Sequence, residues 1–276
     1  MSNELNIAIF KDTLAQAREK YPIGEVRYYK DNRVLTKANF SKVGRAVDAT
    51  AHGIDVPITM MQCGTVHAGY VYANEMRVAI LNFADGLVPG GLVWEGAPTQ
   101  EENICRCSNL YLALNTYESM ENYYKPNSRE ILCTDNIIYA RDITVFKEDK
   151  TYHGVEPRKL DVITCPAPNV YITNREKAMD VYSRRIRDIL LSAIENGAEC
   201  IVLGAWGCGA FNQPPELIAR AFAEELNIYA NAFKQIIFAI KPTPTGDARC
   251  SATFNIFKDV FNNYFKGHVI DEKYFR

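Results

Sequence analysis

The 276-residue sequence has no long uninterrupted apolar run, no low-complexity segment, no internal repeat and no strong excess of charge. A membrane-spanning helix needs roughly 20 consecutive apolar residues, which no segment approaches. No Pro/Gly/Ser-rich linker divides the chain into separate domains. The net charge of −2 supplies no whole-chain attraction to nucleic acid or to an anionic membrane.

Cysteine is present but shows no disulfide-framework spacing. Most of the eight cysteines lie inside apolar segments, as Cys165 and Cys200 do. This usage is typical of a reducing compartment, where buried cysteine behaves as a small hydrophobic residue. The first residues carry charges and lack the apolar core of a signal peptide. We therefore expect a cytoplasmic protein.

No metal site is predicted. Cys105 and Cys107 form a C-x-C pair without a second pair of ligands, and their helical position favours core packing. The four histidines also show no ligand spacing. We expect neither a metal requirement nor a cofactor.

Short apolar runs recur along the chain and predict the strands of a buried sheet. The runs are "ITMMQC", "MRVAILNF", "KLDVITCPAP", "ECIVLGAW" and "KQIIFAIKP". Helical spacing predicts helices at Leu5–Tyr21, Asn174–Asn196, Pro215–Leu226 and Thr253–Phe265. In the second of these, Asn174 is the expected N-cap and Gly197 the left-handed terminator.

Strands that alternate with helices predict one α/β domain with a mixed, mainly parallel sheet covered on both faces. We expect residues 57–276 to form the core and residues 1–56 an N-terminal helical decoration. The polar segment from Pro22 to Pro57 has no clear period, so no element is assigned to it.

Two glycine-bearing loops follow predicted strands, at the edge where open α/β sheets bind ligands. They are "ADGLVPGGLVWEGAPTQEEN" after "MRVAILNF" and "GCGAFNQPPELIARAF" after "ECIVLGAW". Backbone N–H groups and a helix N-terminus in such loops attract an anion. Neither loop fits G-x-G-x-x-G or the phosphate loop with Lys-Ser/Thr, so the Rossmann and Walker interpretations are not supported.

These two loops carry a resemblance to a known family. "LNFADGLVPGGLVWEGAPTQEENICRCSNLY" resembles the bacterial-type poly(ADP-ribose) glycohydrolases, whose core is a macrodomain. That family has three glycines, a short spacer and then Q-E-E. Here Gly90 and Gly91 are followed by Leu92 in the third position, and Gln100, Glu101 and Glu102 follow the spacer. The resemblance continues through "VITCPAPN" and "IVLGAWGCGAFNQPP" and covers most of the chain, with the motifs in the same order.

The resemblance implies a macrodomain-like, three-layer α/β/α fold and a substrate that carries ADP-ribose on a protein, a nucleic acid or a polymer. Glycine amides rather than a lysine then bind the diphosphate. The ligand-binding residues implied are Asn82, Ala84, Pro89, Gly90, Gly91, Gln100, Gly204, Gly207, Cys208, Gly209, Ala210, Phe211 and Asn212. Among them, Gly207 to Phe211 line the diphosphate and Asn82 bonds the distal ribose. Cys208 is read as a small residue that allows close approach rather than as a nucleophile.

The implied reaction breaks a glycosidic bond at the ribose C1″. An acid must protonate the leaving oxygen and a base must then activate water. By position Glu102 is the acid/base, Glu101 holds ribose hydroxyls, and Gln100 supports the loop. Two interpretations remain open: an enzyme that releases ADP-ribose from an O-glycosidic linkage, or a module that binds ADP-ribose without turnover. Leu92 in place of a glycine leaves the choice between polymer and single ADP-ribose units open.

Overall fold

A computed structural model describes residues 1–30, 53–169, 175–241 and 248–272. In these ranges eight strands form one sheet with the order β1-β4-β5-β3-β6-β7-β2-β8. The strands are β1 (Val26–Tyr29), β2 (Ile58–Met61), β3 (Val78–Phe83), β4 (Ile137–Lys147), β5 (Gly154–Cys165), β6 (Cys200–Leu203), β7 (Gln235–Ala239) and β8 (Val269–Glu272).

The sheet is parallel in its centre and antiparallel at one edge. Strand β3 pairs in parallel with β5 and β6, and β7 pairs in parallel with β6 and β2. Antiparallel pairs are formed by β4 with β1 and by β4 with β5, so β4 alone among these strands runs opposite to the others. The predicted mixed, mainly parallel sheet is confirmed, and all five apolar runs become strands. Strand β1 lies in the segment to which the sequence assigned no element, at the edge of the sheet.

Seven α-helices of five or more residues in the described ranges cover the sheet. They are α1 (Asn3–Lys20), α2 (Thr65–Tyr72), α3 (Gln100–Cys107), α4 (Leu110–Leu114), α5 (Arg175–Glu195), α6 (Pro215–Tyr229) and α7 (Ala248–Tyr264). Shorter turns lie at Val93–Glu95, Tyr117–Ser119, Lys125–Asn127 and Ala230–Ala232, with a π-helical turn at Met120–Tyr124. No described helix is long and apolar enough to cross a bilayer.

The four helices expected from periodicity are present with ends shifted by a few residues. Gly197 follows α5 with φ of 75°, as a left-handed helix terminator requires. The predicted N-cap Asn174 lies outside the described residues. Helix α1 begins with a hydrogen bond of 3.3 Å from the amide of Leu5 to the side chain of Ser2.

Alternating side chains of the central strands divide the core into two layers. On β3, Ala79 and Leu81 pack with α5, α6 and α7, whereas Val78 and Ile80 pack with α1, α2 and α3. All four side chains are almost completely buried. Burial on both faces explains why these strands are continuously apolar rather than alternating. The three-layer α/β/α architecture is confirmed.

The hairpin of β4 and β5 reaches beyond the rest of the sheet and packs over α2. The hydroxyl of Tyr70 donates to the carbonyl of Glu156 at 2.9 Å, and the guanidinium of Arg158 lies 4.0 Å from the centre of the Tyr70 ring. At the hairpin tip, the hydroxyl of Tyr152 donates to Oδ1 of Asn103 on α3 at 2.6 Å. The tip, residues 148–153, therefore lies beside the first turns of α2 and α3.

Candidate active site

The two adjacent glycines form a tight turn with left-handed backbone angles that favour glycine. Gly90 and Gly91 have φ of 70° and 57°, and the turn is closed by a 3.0 Å hydrogen bond from the amide of Gly91 to Val88. A side-chain carbon on Gly91 would come within 2.5 Å of Oε1 of Glu102 and 3.1 Å of Oε2 of Glu101. The turn therefore packs its bare backbone directly against both carboxyl groups.

Leu92, which stands where a third glycine is expected, adopts an ordinary backbone conformation. Its φ and ψ are −92° and 34°, so φ is negative and lies outside the left-handed region that favours glycine. Its amide donates a 2.9 Å hydrogen bond to Oε1 of Glu102, while its side chain is about half exposed. The contact with the acid is made by the main chain, so this position does not require glycine.

Glu102 is held at the start of α3 with both oxygens occupied. Besides the bond from Leu92, its Oε2 accepts a short hydrogen bond from the hydroxyl of Thr99, the N-cap residue of the helix. The side chain is almost completely buried. These two donors fix the direction of the carboxyl group.

Glu101 is also buried but points to the end of β3. Its Oε1 accepts from Nδ2 of Asn82 at 3.1 Å and its Oε2 accepts from the amide of Asp85 at 2.7 Å. Burial raises the pKa of Glu101 well above its usual value, against the effect of these two donors. Oδ1 of Asn82 is buried and has no hydrogen-bond partner, so an unpaired acceptor lies near the end of β3.

The side chain of Gln100 connects α3 to β3 through hydrogen bonds. Its Oε1 accepts from the amide of Phe83 at 2.8 Å, and its Nε2 donates to the carbonyl of Leu81 at 2.7 Å and to the hydroxyl of Thr65. The amide side chain thus satisfies backbone groups of β3. This geometry agrees with a supporting role.

The second glycine loop follows β6. Gly204 lies so close to β7 and β3 that a side-chain carbon would meet the carbonyl of Ala239 at 2.7 Å. Gly207 has φ of 82°, and a side-chain carbon there would collide with the hydroxyl of Tyr182. The loop closes on itself through a 3.1 Å bond from the amide of Gln213 to Gly207.

Three amides of this loop remain available. The amides of Gly209, Ala210 and Phe211 donate to no other residue within the described ranges. The amide of Cys208 instead donates to Ala205 at 3.1 Å. Unpaired amides of this kind bind anions. Burial raises the pKa of the Cys208 thiol to about 12, so the thiol stays protonated and is a poor nucleophile.

A cavity of about 550 Å³ lies between the two loops, at the carboxyl ends of β3, β6, β7 and β2. Gln100, Cys208 and Gly209 line it, together with α2, the hairpin tip and the start of α1. Its apolar walls include Val66, Phe83, Ile104, Ala239 and Ile240. Glu101 and Glu102 do not line the cavity and lie beside it, past Gln100 on α3.

The predicted residues of the first loop form one connected cluster of Asn82, Gly91, Gln100, Glu101 and Glu102. The rest occupy varied environments. Ala84 and Gly90 are buried, Pro89 and Phe211 are half-buried, and Ala210 and Asn212 are exposed. The described residues contain no group of three or more His, Cys, Asp or Glu arranged to hold a metal.

Thr99, Asp85 and Asp149 were missed by the sequence analysis. Thr99 has a recognisable signal, because a threonine three residues before a glutamate is a helix-start pattern, although here the hydroxyl donates to the Glu102 carboxyl and does not cap the helix. The other two act through contacts that are set by the fold.

The model of the family "Microbial-type PARG, catalytic domain" matches residues 6–148. Among solved structures, poly(ADP-ribose) glycohydrolase (PARG) from Thermomonospora curvata is 26% identical, with a TM-score of 0.78, over 92% of this chain and 99% of that chain. The enzyme from Deinococcus radiodurans in complex with ADP-ribose is 27% identical, with a TM-score of 0.73, over 91% and 97%. The T. curvata enzyme bound to the inhibitor ADP-HPD is 28% identical, with a TM-score of 0.72, over 91% and 98%. No curated protein matches the chain.

Proposed function

Because the chain belongs to the microbial-type PARG catalytic-domain family, we propose that it hydrolyses O-glycosidic ADP-ribosyl linkages and releases ADP-ribose. The bond cleaved links C1″ of the released ADP-ribose to the group that carries it. That group is the rest of a poly(ADP-ribose) chain, when the unit lies at its terminus, or a protein or nucleic acid. The solved relatives are enzymes of this kind, and one of them holds ADP-ribose.

One observation carries the proposal: the backbone of Gly91 packs against the carboxyl groups of both Glu101 and Glu102. A glycine turn can bring a sugar close to an acid without an intervening side chain. Both carboxyl groups are held by hydrogen bonds from neighbouring residues. Such an arrangement suits a reaction at the sugar's anomeric carbon.

The substrate extends from the cavity to the glutamates. In our proposal the adenosine occupies the cavity, and the amides of Gly209, Ala210 and Phe211 bind the diphosphate. The distal ribose then lies beside Gly91, with its hydroxyls near Glu101 and the buried acceptor Oδ1 of Asn82.

Glu102 is the proposed acid/base. It protonates the leaving oxygen as the C1″–O bond breaks, and it then takes a proton from the water that attacks C1″. Adjacent residues at a helix start diverge by roughly 100°. The separate partners of the two glutamates agree with separate roles, with Glu101 orienting the ribose.

The proposal also includes the domain organisation and the cellular location of the protein. We assign residues 1–276 to one catalytic unit, with a core at 57–276 and a decoration at 1–56 from which β1 joins the sheet. We place the protein in the cytoplasm, which is supported by the free thiols of all seven described cysteines.

The test measures free ADP-ribose released from poly(ADP-ribose), from a singly ADP-ribosylated protein and from an ADP-ribosylated nucleic acid. Glu102→Gln should lower the rate by about 10²- to 10⁴-fold while ADP-ribose still binds. Glu118→Gln, which removes an exposed carboxylate away from the site, is the matched control and should leave the rate unchanged.

Two results would change the conclusion. Hydrolysis that survives Glu102→Gln at the same rate would remove Glu102 from the mechanism. Binding of ADP-ribose by the unmodified protein without release from any of the three substrates would identify a binding module instead.

A further inference from the structure

An apolar rim surrounds the first glycine turn. It consists of four large apolar side chains that are each about half exposed: Leu87, Val88, Leu92 and Trp94. All four belong to the short segment that carries the turn. Single exposed apolar residues are ordinary, but several of them in one short segment indicate a surface that binds another molecule.

Trp94 is the flat part of this rim, and its ring is held in one orientation. Its Nε1 donates a 2.9 Å hydrogen bond to the hydroxyl of Tyr111. The rings of Phe10 and Tyr111 meet it edge-on, with centroids 4.8 Å and 6.0 Å away. An aromatic ring that is fixed by its neighbours and partly open is a preformed stacking surface, because little side-chain freedom is left to lose on binding.

Tyr111 connects this ring to the glycine turn. A side-chain carbon on Gly90 would lie 2.9 Å from Cδ2 of Tyr111, so the tyrosine ring packs against the bare backbone of the turn. The hydroxyl of the same tyrosine accepts the hydrogen bond from Trp94. Trp94 is therefore separated by one side chain from the turn beside which the proposed distal ribose lies.

The rim also borders the proposed acid. The amide of Leu92 is bonded to Oε1 of Glu102 at 2.9 Å, and the side chain of Leu92 is exposed. The leaving oxygen must come within hydrogen-bond distance of the Glu102 carboxyl group to receive its proton. The group attached to that oxygen then lies against the rim.

The charge around the rim favours an uncharged group. Residues 84–103 contain four acidic side chains and no lysine or arginine. Arg129 and Glu130, on the turn that packs against Gly86, carry opposite charges. A phosphate placed on the rim would be repelled by the acidic segment, whereas an uncharged planar ring would not.

We propose that the rim binds the second unit of poly(ADP-ribose), with the adenine of that unit stacked on Trp94. In the polymer the leaving oxygen is the 2′ oxygen of the next adenosine, and adenine is bonded to the neighbouring carbon of the same ribose. A modified protein side chain has no ring at this distance, and a nucleic-acid terminal phosphate brings a charge. This inference rests on the proposed function, because its ligand is the leaving group of that reaction.

The test compares two substrates that share the terminal ADP-ribose. One is a dimer of ADP-ribose, and the other is the same dimer with hydrogen in place of adenine in the second unit. In the unmodified protein, kcat/KM for release of the terminal unit should be about 10-fold higher for the complete dimer, as expected for one base stacked on an aromatic ring.

Trp94→Ala should remove this preference, and Trp94→Phe should keep most of it. The loss should appear in KM for the complete dimer rather than in kcat, because stacking stabilises the bound substrate and the transition state alike. Tyr117→Ala removes an exposed aromatic ring on the turn after α4 and is the matched control. It should keep the full preference.

Tryptophan fluorescence gives a second measurement that needs no turnover. The chain has two tryptophans, and Trp206 is completely buried. In Glu102→Gln, the complete dimer should quench the fluorescence more than the dimer without the second adenine. Adding Trp94→Phe to this variant should abolish the difference.

Four results would overturn the inference. They are equal kcat/KM values for the two dimers in the unmodified protein, a preference that survives Trp94→Ala, an equal loss for both dimers in that variant, and faster release from a singly ADP-ribosylated protein than from the complete dimer. The third would assign Trp94 to the support of Tyr111, and the fourth would assign the rim to a protein. Failure of the proposed function is distinct, because neither dimer would then release ADP-ribose.

Discussion

The amide of Leu92 donates a 2.9 Å hydrogen bond to Oε1 of Glu102, at the position where the sequence comparison led us to expect a third glycine. The bond is made by the backbone and the residue has a negative φ, so the side chain is not part of this contact. Leucine in place of the expected glycine therefore leaves the hydrogen bond to Glu102 intact.

Leu92→Gly tests this relationship. We expect kcat for release of ADP-ribose to change by less than about threefold, because the amide donor remains. The free energy of unfolding should fall by about 0.5–1 kcal/mol, because glycine loses more backbone entropy on folding. Steady-state kinetics and denaturant titration measure the two effects. A loss of kcat beyond tenfold would show that the leucine side chain itself takes part.

Gly91→Ala should abolish most of the activity. Its side-chain carbon would lie 2.5 Å from Oε1 of Glu102 and would demand a left-handed conformation that alanine rarely adopts. We expect kcat to fall by at least about 100-fold, since a misplacement of 1 Å has effects of this size. Gly154→Ala is the control, because nothing lies near its added carbon. Full activity of Gly91→Ala would disprove the close packing.

Thr99→Val should lower kcat and leave the affinity for ADP-ribose nearly unchanged. The substitution keeps the shape of the side chain but removes the hydroxyl that donates to Oε2 of Glu102. We expect a loss of about tenfold in kcat, and Thr99→Ser should restore most of it. Steady-state kinetics, which give kcat and KM separately, measure this effect. An equal effect of valine and serine would indicate a role in shape alone.

Glu101→Gln should make the protein more stable at neutral pH. Burial raises the pKa of Glu101 in the folded state above its value of 4.5 in the unfolded chain. The folded protein therefore binds the proton more tightly, and stability falls as pH rises above 4.5 towards the raised pKa. Glutamine carries no charge and so removes this penalty.

Thermal melts at pH 4 and pH 7 check this expectation. The melting temperature of Glu101→Gln should exceed that of the unmodified protein at pH 7, and the difference should shrink at pH 4. A difference of the same size at both values would mean that the carboxyl group does not titrate between them. The gain in stability should accompany weaker ribose orientation and a lower kcat.

Gly207→Ala should destabilise the protein more than Gly197→Ala does. Both glycines have left-handed φ, and this conformation costs alanine about 1–2 kcal/mol. At Gly207 the added carbon also collides with the hydroxyl of Tyr182, whereas nothing lies near Gly197. Overpacking adds about 1–3 kcal/mol. Equal unfolding free energies of the two variants in urea would contradict the collision.

Much of the architecture could be predicted from local patterns. The runs around Leu81, Ile163, Val202 and Ile237 are continuously apolar because both faces of a central strand are buried, and the structure confirms each as a strand. The edge strand β1 could not be found in this way, because it is half-exposed and only four residues long.

The candidate site was predicted unevenly for a physical reason. Gly91, Gln100 and Glu102 lie within a dozen residues of one another, so the turn, the helix start and the acid pair are visible as one motif. Asp149 is separated from Gly64 by the whole of β3, three helices and β4. No local pattern marks a residue whose partner is brought to it by a hairpin that folds over α2.

The sequence by itself determined the α/β alternation, the two glycine loops and the identity of the paired glutamates, because these depend on short-range periodicity and on residue type. The tertiary structure alone decided that the backbone of Leu92 holds Glu102, that Glu101 is buried against Asn82, and that Asp149 leaves one oxygen unpaired beside the cavity. Such contacts depend on the distance and direction between groups far apart in the chain, and these are set only when the sheet and its helices pack together.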